Sequence, residues 1–135
     1  MKRSIDGKRN LLFAAALVAA GLAVPAPAWA EPTGCSHDYP HFYLTGASGR
    51  YLMNAESSGN CTTYATRDFR VEIKHDIAFQ PDPLVSHADD YSYDNYFYAH
   101  TQTCDNGNRA KYYGRSFFTS SATYHDSSHY TVDAC

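Results

Sequence analysis

Histidine is the residue of this sequence best suited to acid–base or metal chemistry, and four of its seven copies come in two similar settings. His37-Asp38-x-x-His41 and His125-Asp126-x-x-His129 each place two imidazoles four residues apart, with a carboxylate beside the first. On a helix that spacing would set both rings on one face, where a zinc ion could be held. Neither segment shows helical apolar spacing. Along a strand, residues four apart are separated by about 13 Å, too far for one ion. Solvated loop histidines are the expectation, with weak metal capture at a turn or pH sensing as alternatives. No metal and no cofactor are expected.

Nucleophilic and phosphate chemistry find less support. The chain has no Gly-x-Ser-x-Gly elbow, no His-Glu-x-x-His and no phosphate-cradling glycine loop, so no catalytic site is expected. In size, acidic charge, tyrosine content and a cysteine at its end, the chain resembles the small secreted microbial ribonucleases. That resemblance implies a Glu base, a His acid and basic groups for the phosphate. Glu72, His129, Arg70 and Lys74 would fill those roles, and a ribonuclease-like hydrolase stands as the alternative function.

The most unusual feature is aromatic. Tyr91-Ser92-Tyr93-Asp94-Asn95-Tyr96-Phe97-Tyr98 puts five aromatics into eight positions, interleaved with Ser, Asp and Asn. Tyrosine offers large, stiff contact area with a hydroxyl at its tip, which is why binding surfaces favour it alongside Ser, Gly and Asn. Tyr91, Tyr93, Tyr96 and Tyr98, with Asp89 and Asp90 beside them, form the candidate binding set. The competing reading makes Tyr96 and Tyr98 ordinary strand residues, since tyrosine suits a pleated, half-buried surface. Aromatic rings with nearby acceptors also suit the apolar faces of sugars, so a lectin-like glycan-binding domain is a further alternative.

These residues need a scaffold, and its first feature is an export signal. Lys2, Arg3, Lys8 and Arg9 precede an apolar stretch from Leu11 to Val24, then Ala28-Trp29-Ala30, the small-x-small pattern of signal-peptidase sites. The apolar stretch falls short of the ~20 residues that a membrane-spanning helix needs. Residues 1–30 are therefore read as a cleaved signal peptide and residues 31–135 as one secreted domain. Lys8-Arg9-Asn10-Leu11-Leu12 resembles a twin-arginine signal with the first Arg replaced, but an ordinary secretory basic region is the plainer reading. Thr33-Gly34-Cys35 is a poor bacterial lipidation box, with Pro32 where an aliphatic residue belongs.

Four of the 11 basic and one of the 14 acidic residues lie in the leader, so the mature chain carries seven against 13, a formal charge of −6. Nucleic-acid affinity comes mainly from Lys and Arg neutralising phosphates, so neither a nucleic acid nor a membrane is expected as partner. Aliphatic residues are scarce, while all 12 tyrosines and six phenylalanines are in the mature chain, so the core must be aromatic. A domain this small is marginal without reinforcement. Cys35, Cys61, Cys104 and Cys135 supply it as two disulfides. Three pairings are possible, and Cys35–Cys61 with Cys104–Cys135, one staple for each half, is the preferred one.

The pattern along the mature chain is one of strands and turns. His41–Thr45 and Arg50–Asn54 read as strands around the Gly46–Gly49 turn, and Glu56–Asn60 as a turn cluster leading into Cys61–Tyr64. Phe69, Val71 and Ile73 alternate with Arg70, Glu72 and Lys74, the signature of a strand with one wet face. Gln80-Pro81-Asp82-Pro83 interrupts pairing, because proline lacks the amide that a ladder requires. Tyr96–Cys104 and Arg109–Tyr113 flank Asp105-Asn106-Gly107-Asn108, whose Asn-Gly marks a hairpin with these two strands as partners. Ser116–Thr119 and Tyr130–Asp133 close the chain. Gly49-Arg50-Tyr51-Leu52 is similar to the strands of β-trefoil proteins, but it occurs once where a trefoil repeats it three times. The expected fold is all-β: a small disulfide-stapled sandwich or barrel of six to eight antiparallel strands, with an extended N-terminal arm. The expected role is a secreted, non-catalytic binding module. It would be an adaptor subunit of a secreted assembly such as an antibacterial toxin particle, or an inhibitor, with another secreted or cell-surface protein or a glycan as partner.

Overall fold

The computed structural model describes residues 30–46 and 48–135, so the expected leader lies, Ala30 apart, outside them. Seven strands follow in order: β1 (Cys35–His37), β2 (His41–Thr45), β3 (Leu52–His75), β4 (Leu84–Thr103), β5 (Arg109–Phe118), β6 (His125–Asp126) and β7 (Tyr130–Asp133). They form one antiparallel sheet curled into a half-barrel. No helix among the described residues is long and apolar enough to cross a membrane.

The 24-residue β3 is the hub, pairing with β1, β2, β4 and β5. The alternation at Phe69, Val71 and Ile73 is realised, and all three are fully buried. The turn expected at Glu56–Asn60 is not one. Those residues run through the middle of β3, and the strands expected at Arg50–Asn54 and Cys61–Tyr64 merge with it. Their smallness has another cause. A Cβ on Gly59 would lie 2.8 Å from Cζ of Phe118 and 3.3 Å from Cδ2 of Phe69. The residue is small because aromatic rings already occupy the space above it.

Those rings are the core. Phe69 and Phe118 pack at 5.1 Å between centroids, Phe97 meets Phe118 edge-on at 5.6 Å, and Tyr112 joins them fully buried. Edge-to-face aromatic packing of this kind contributes beyond area burial alone.

The sheet is sharply bent. Asn60 pairs with Tyr96 and Ala65 with Asp94, so four residues of β3, Cys61 to Tyr64, oppose the single Asn95 of β4. In a straight strand the side chains of Ser86 and Thr101 would be separated by about 50 Å. In β4 their hydroxyls are hydrogen-bonded at 2.5 Å. The two limbs of the β3–β4 ribbon thus close on one another, and the aromatic core fills the space between them.

The disulfides are Cys35–Cys61 and Cys104–Cys135, the preferred pairing. The first joins facing residues of β1 and β3 and ties down the N-terminal arm. The second explains a departure from the expected hairpin. Asn106 and Gly107 do take positive φ, 51° and 73°. β5 nevertheless pairs with β3, β6 and β7 and not with β4. The turn bonds to the chain end instead: the Gly107 amide donates to the Cys135 carbonyl at 2.8 Å, and the Ala134 amide to the Asn108 carbonyl at 2.9 Å. Asn-Gly sets local dihedrals, but the position of the stapled C-terminus sets the partner.

Candidate binding face

β4 alternates between a solvent face and a core face. Tyr91 and Tyr93 point outward at odd positions, and Tyr96, Tyr98 and His100 at even ones. The change of parity comes from the extra residue at the Asp94–Asn95 bend, which keeps every tyrosine of the run on the outer surface. Tyr91 is 74% exposed and Tyr93 70%, with Tyr96 and Tyr98 about half exposed. Tyr64, from the bulged segment of β3, adds a fifth ring against Tyr93 at 6.2 Å. A band of tyrosine therefore follows the outside of the bend.

The two aspartates expected to accompany the tyrosines do different work. Asp89 shares their face but is held by Arg70, whose Nε and Nη2 donate to its two oxygens at 2.6 and 3.1 Å. Asp90 is on the alternate face, opposite Phe69 in register. Its carboxylate accepts from the Tyr98 amide at 3.0 Å and the Ser92 hydroxyl at 2.8 Å. Asp94 likewise accepts from the amides of Asn95 and Tyr96. Asp90 supports the bend and presents nothing to a ligand on the tyrosine face.

At the lower end of the band, a cleft of about 230 Å3 lies between β4 and the N-terminal arm, with Asp38, Tyr39, His41, Glu56, Tyr96 and Tyr98 in its walls. The Tyr98 hydroxyl donates to Glu56 at 2.7 Å. That bond holds the Glu56 carboxyl below its ordinary range and pushes the Tyr98 phenol up to about 12. His41 and His100 face Glu56 from the two flanking strands, and Tyr43 stacks on His41 at 4.8 Å. The wall is thus aromatic, with a carboxylate acceptor at its centre. Tyr39, 70% exposed, stands between this cleft and a second of about 350 Å3 bounded by Pro40, Phe42, Asp126 and Tyr130.

Neither histidine pair closes on itself. His41 faces Glu56, and His129 stacks on Tyr113 at 4.2 Å while bonding Asp76 at 2.8 Å. The first members of the two pairs meet instead. His37 and His125 stack at 4.0 Å, and Tyr39 covers the other face of His125 at 4.3 Å.

Of the residues named for the hydrolase alternative, Arg70, Glu72 and Lys74 occupy alternate positions on one face of β3. Glu72 is 8% exposed, between Arg70 at 3.9 Å and Arg115, its register partner on β5. Both arginines already have two-point carboxylate partners, Asp89 and Asp126. His129 stacks on Tyr113, whose ring carries the Arg115 guanidinium at 5.5 Å.

Tyr39, Tyr64 and Phe79 are exposed rings outside the expected binding set. Phe79 is fully exposed at the tip of the β3–β4 loop with a φ of 63°, a conformation that bulky side chains disfavour. Its only sequence signal was a phenylalanine just ahead of Gln80-Pro81, a segment read there as a strand interruption.

The fold and face define a disulfide-braced β half-barrel with an exposed tyrosine band. In comparisons with known proteins, no family, no curated protein and no solved structure matches the chain.

Proposed function

We propose that this protein is a secreted, non-catalytic binding module whose tyrosine band docks another extracellular protein, as an adaptor subunit of a secreted assembly such as an antibacterial toxin particle or as an inhibitor. The observation that carries this reading is the exposure of Tyr91 and Tyr93 on the outer face of β4, whose inner face carries Asp90, Ser92 and Asp94 behind them and the buried Phe97 and Ala99 further along. A chain short of aliphatic residues, with Tyr112 and Tyr113 buried, still leaves the Tyr91 and Tyr93 rings in water, where contiguous apolar surface marks interaction sites. Tyrosine is enriched among the residues that dominate interface energies. Phe79 supplies a second, separate anchor. The export signal and two disulfides fit an extracellular setting.

The test is a native pull-down of the tagged protein from its producer's culture fluid, followed by size-exclusion chromatography and mass spectrometry. A stoichiometric protein partner lost in Tyr91→Ala/Tyr93→Ala, and retained in Lys111→Ala, supports the reading. A partner that persists unchanged in the double variant places the interface elsewhere. A lone monomer of about 11 kDa (105 residues at ~110 Da each) with sugar-specific retention on glycan arrays would replace the protein partner with a glycan. The Tyr39–Tyr98 cleft, with Glu56 as acceptor, is the surface that outcome would indicate.

A further inference from the structure

Among the described residues, four buried side-chain atoms lack a hydrogen-bond partner: Glu31 Oε1, His37 Nδ1, His125 Nδ1 and Asp68 Oδ1. Three of the four belong to one cluster, in which Glu31, His37 and His125 each bring a ligand-type atom within 4.8 Å of the other two. Buried polar atoms are nearly always satisfied, yet here His125 Nδ1 has no partner, and His37 Nδ1 and Glu31 Oε1 face only each other.

The chemistry of His37 says what belongs between them. Its side chain is wholly buried, and its Nε2 is 3.0 Å from the Ser116 carbonyl, a group that can only accept. Nε2 therefore carries the hydrogen, and in the neutral ring Nδ1 keeps its lone pair. That lone pair faces Glu31 Oε1 at 2.5 Å, a second electron-rich atom. Two such atoms are held together only by a cation: a proton at this separation, or a metal ion once they open to about 3.3 Å. A metal-ligating histidine characteristically donates its other N–H to a backbone carbonyl, and the Ser116 bond to His37 is that arrangement.

We infer that Glu31, His37 and His125 form a binding site for a single divalent transition-metal ion, zinc being the test ion, which fastens the N-terminal arm to β6. Two imidazoles and one carboxylate are a donor set suited to zinc, with the fourth position left to solvent. Zinc–ligand bonds of about 2.0–2.1 Å place ligand atoms about 3.3 Å apart. Binding therefore opens the Glu31–His37 contact by about 0.8 Å and draws in the His125 ligand atom, now within 4.8 Å of the others, by up to about 1.5 Å. The stacked His37–His125 pair is the metal-free arrangement, and the ring of His125 turns out of the stack to direct Nδ1 at the ion. The site joins the N-terminal segment, through Glu31 and His37, to His125 of β6, so occupancy couples the two independently of the Cys35–Cys61 bond.

The experiment uses the protein exported from its full-length precursor, stripped with a chelator and titrated with ZnCl2 by calorimetry, with Co2+ absorption in parallel. Expected are one equivalent of Zn2+, a visible Co2+ spectrum of four-coordinate intensity, and a raised melting temperature. Affinity falls at least tenfold in Glu31→Gln and is lost in His125→Gln, while His41→Gln and His129→Gln bind as the parent does. Circular dichroism of each variant separates loss of the site from loss of the fold, and Glu31→Gln alters no core residue. Absence of binding at tenfold excess metal overturns the inference. So does binding that survives both Glu31→Gln and His125→Gln, or that disappears with His41→Gln or His129→Gln. The result is independent of the tyrosine band and leaves that reading untouched.

Discussion

Gly59→Ala is a sharp probe of how this sheet is built. If Glu56–Asn60 were a surface turn, a glycine without positive φ would accept alanine at no cost, and the less flexible unfolded chain would favour the variant by about 0.5–1 kcal/mol. In the structure the added methyl meets Phe118 at 2.8 and 3.2 Å and Phe69 at 3.3 Å, and both rings are fully buried among other aromatics. Overpacking of that kind costs about 1–3 kcal/mol. The expected net loss is therefore about 1–2 kcal/mol, and the melting temperature of a domain this size falls by about 5–15 °C. Thermal and urea unfolding of the oxidised protein measure it. Phe118→Leu removes the ring tip that the methyl strikes, so in that background Gly59→Ala becomes nearly neutral, a coupling of the size seen for residues in contact. A Gly59→Ala protein as stable as the parent would refute the packing argument. So would an equal loss with and without Phe118.

Three further predictions rest on other parts of the structure. Arg115 donates twice to Asp126 at 2.7 and 2.8 Å and covers Tyr124 at 4.6 Å, so Arg115→Ala should lower the urea-derived stability by about 1.5–3 kcal/mol. The Ile77 amide and then the Tyr113 hydroxyl hold the Asp82 carboxyl below its ordinary range. A carboxyl lowered in the folded state stabilises above its unfolded value, near 3.9, and that contribution disappears as pH falls through the folded value. Urea midpoints at pH 6, 4 and 3 should therefore drop across this window in the parent and drop less in Asp82→Asn. Replacing both Cys104 and Cys135 by Ser removes a staple across 31 residues and should cost about 3 kcal/mol by urea unfolding, with the turn at Asn106-Gly107 the first region to lose amide protection from hydrogen exchange.

Where sequence signals were local and the chain obeyed them, the fold was legible. The period-two run at Phe69, Val71 and Ile73, the proline break at Pro81–Pro83 and the export-compatible cysteines each state their physics within a few residues. Signals of nonlocal origin misled. Gly59 and Ser58 have turn composition, yet Gly59 is small to admit rings from Phe69 and Phe118, ten and 59 positions away. The outward set of tyrosines depends on a four-against-one bulge that no periodicity announces, and the same register puts Asp90 on the face opposite Tyr91. The histidines were paired by spacing along the chain. The fold pairs His37 with His125 across 88 residues, a relation that only the path of the N-terminal arm can establish.

Among the described residues β3 is the one strand paired with β4, so β4 has a neighbour along one side. A long unpaired strand edge invites a second chain to add to it, by swapping or by fibril growth. Here the edge is curled at Asp94–Asn95, and the amides of Asn95, Tyr96 and Tyr98 are occupied by the carboxylates of Asp94 and Asp90. The tyrosine band thus sits on a strand whose backbone is guarded against its own kind. A partner docked on the band, as proposed, would be held through side chains, while the curl and the occupied amides leave less of the backbone edge open to strand addition.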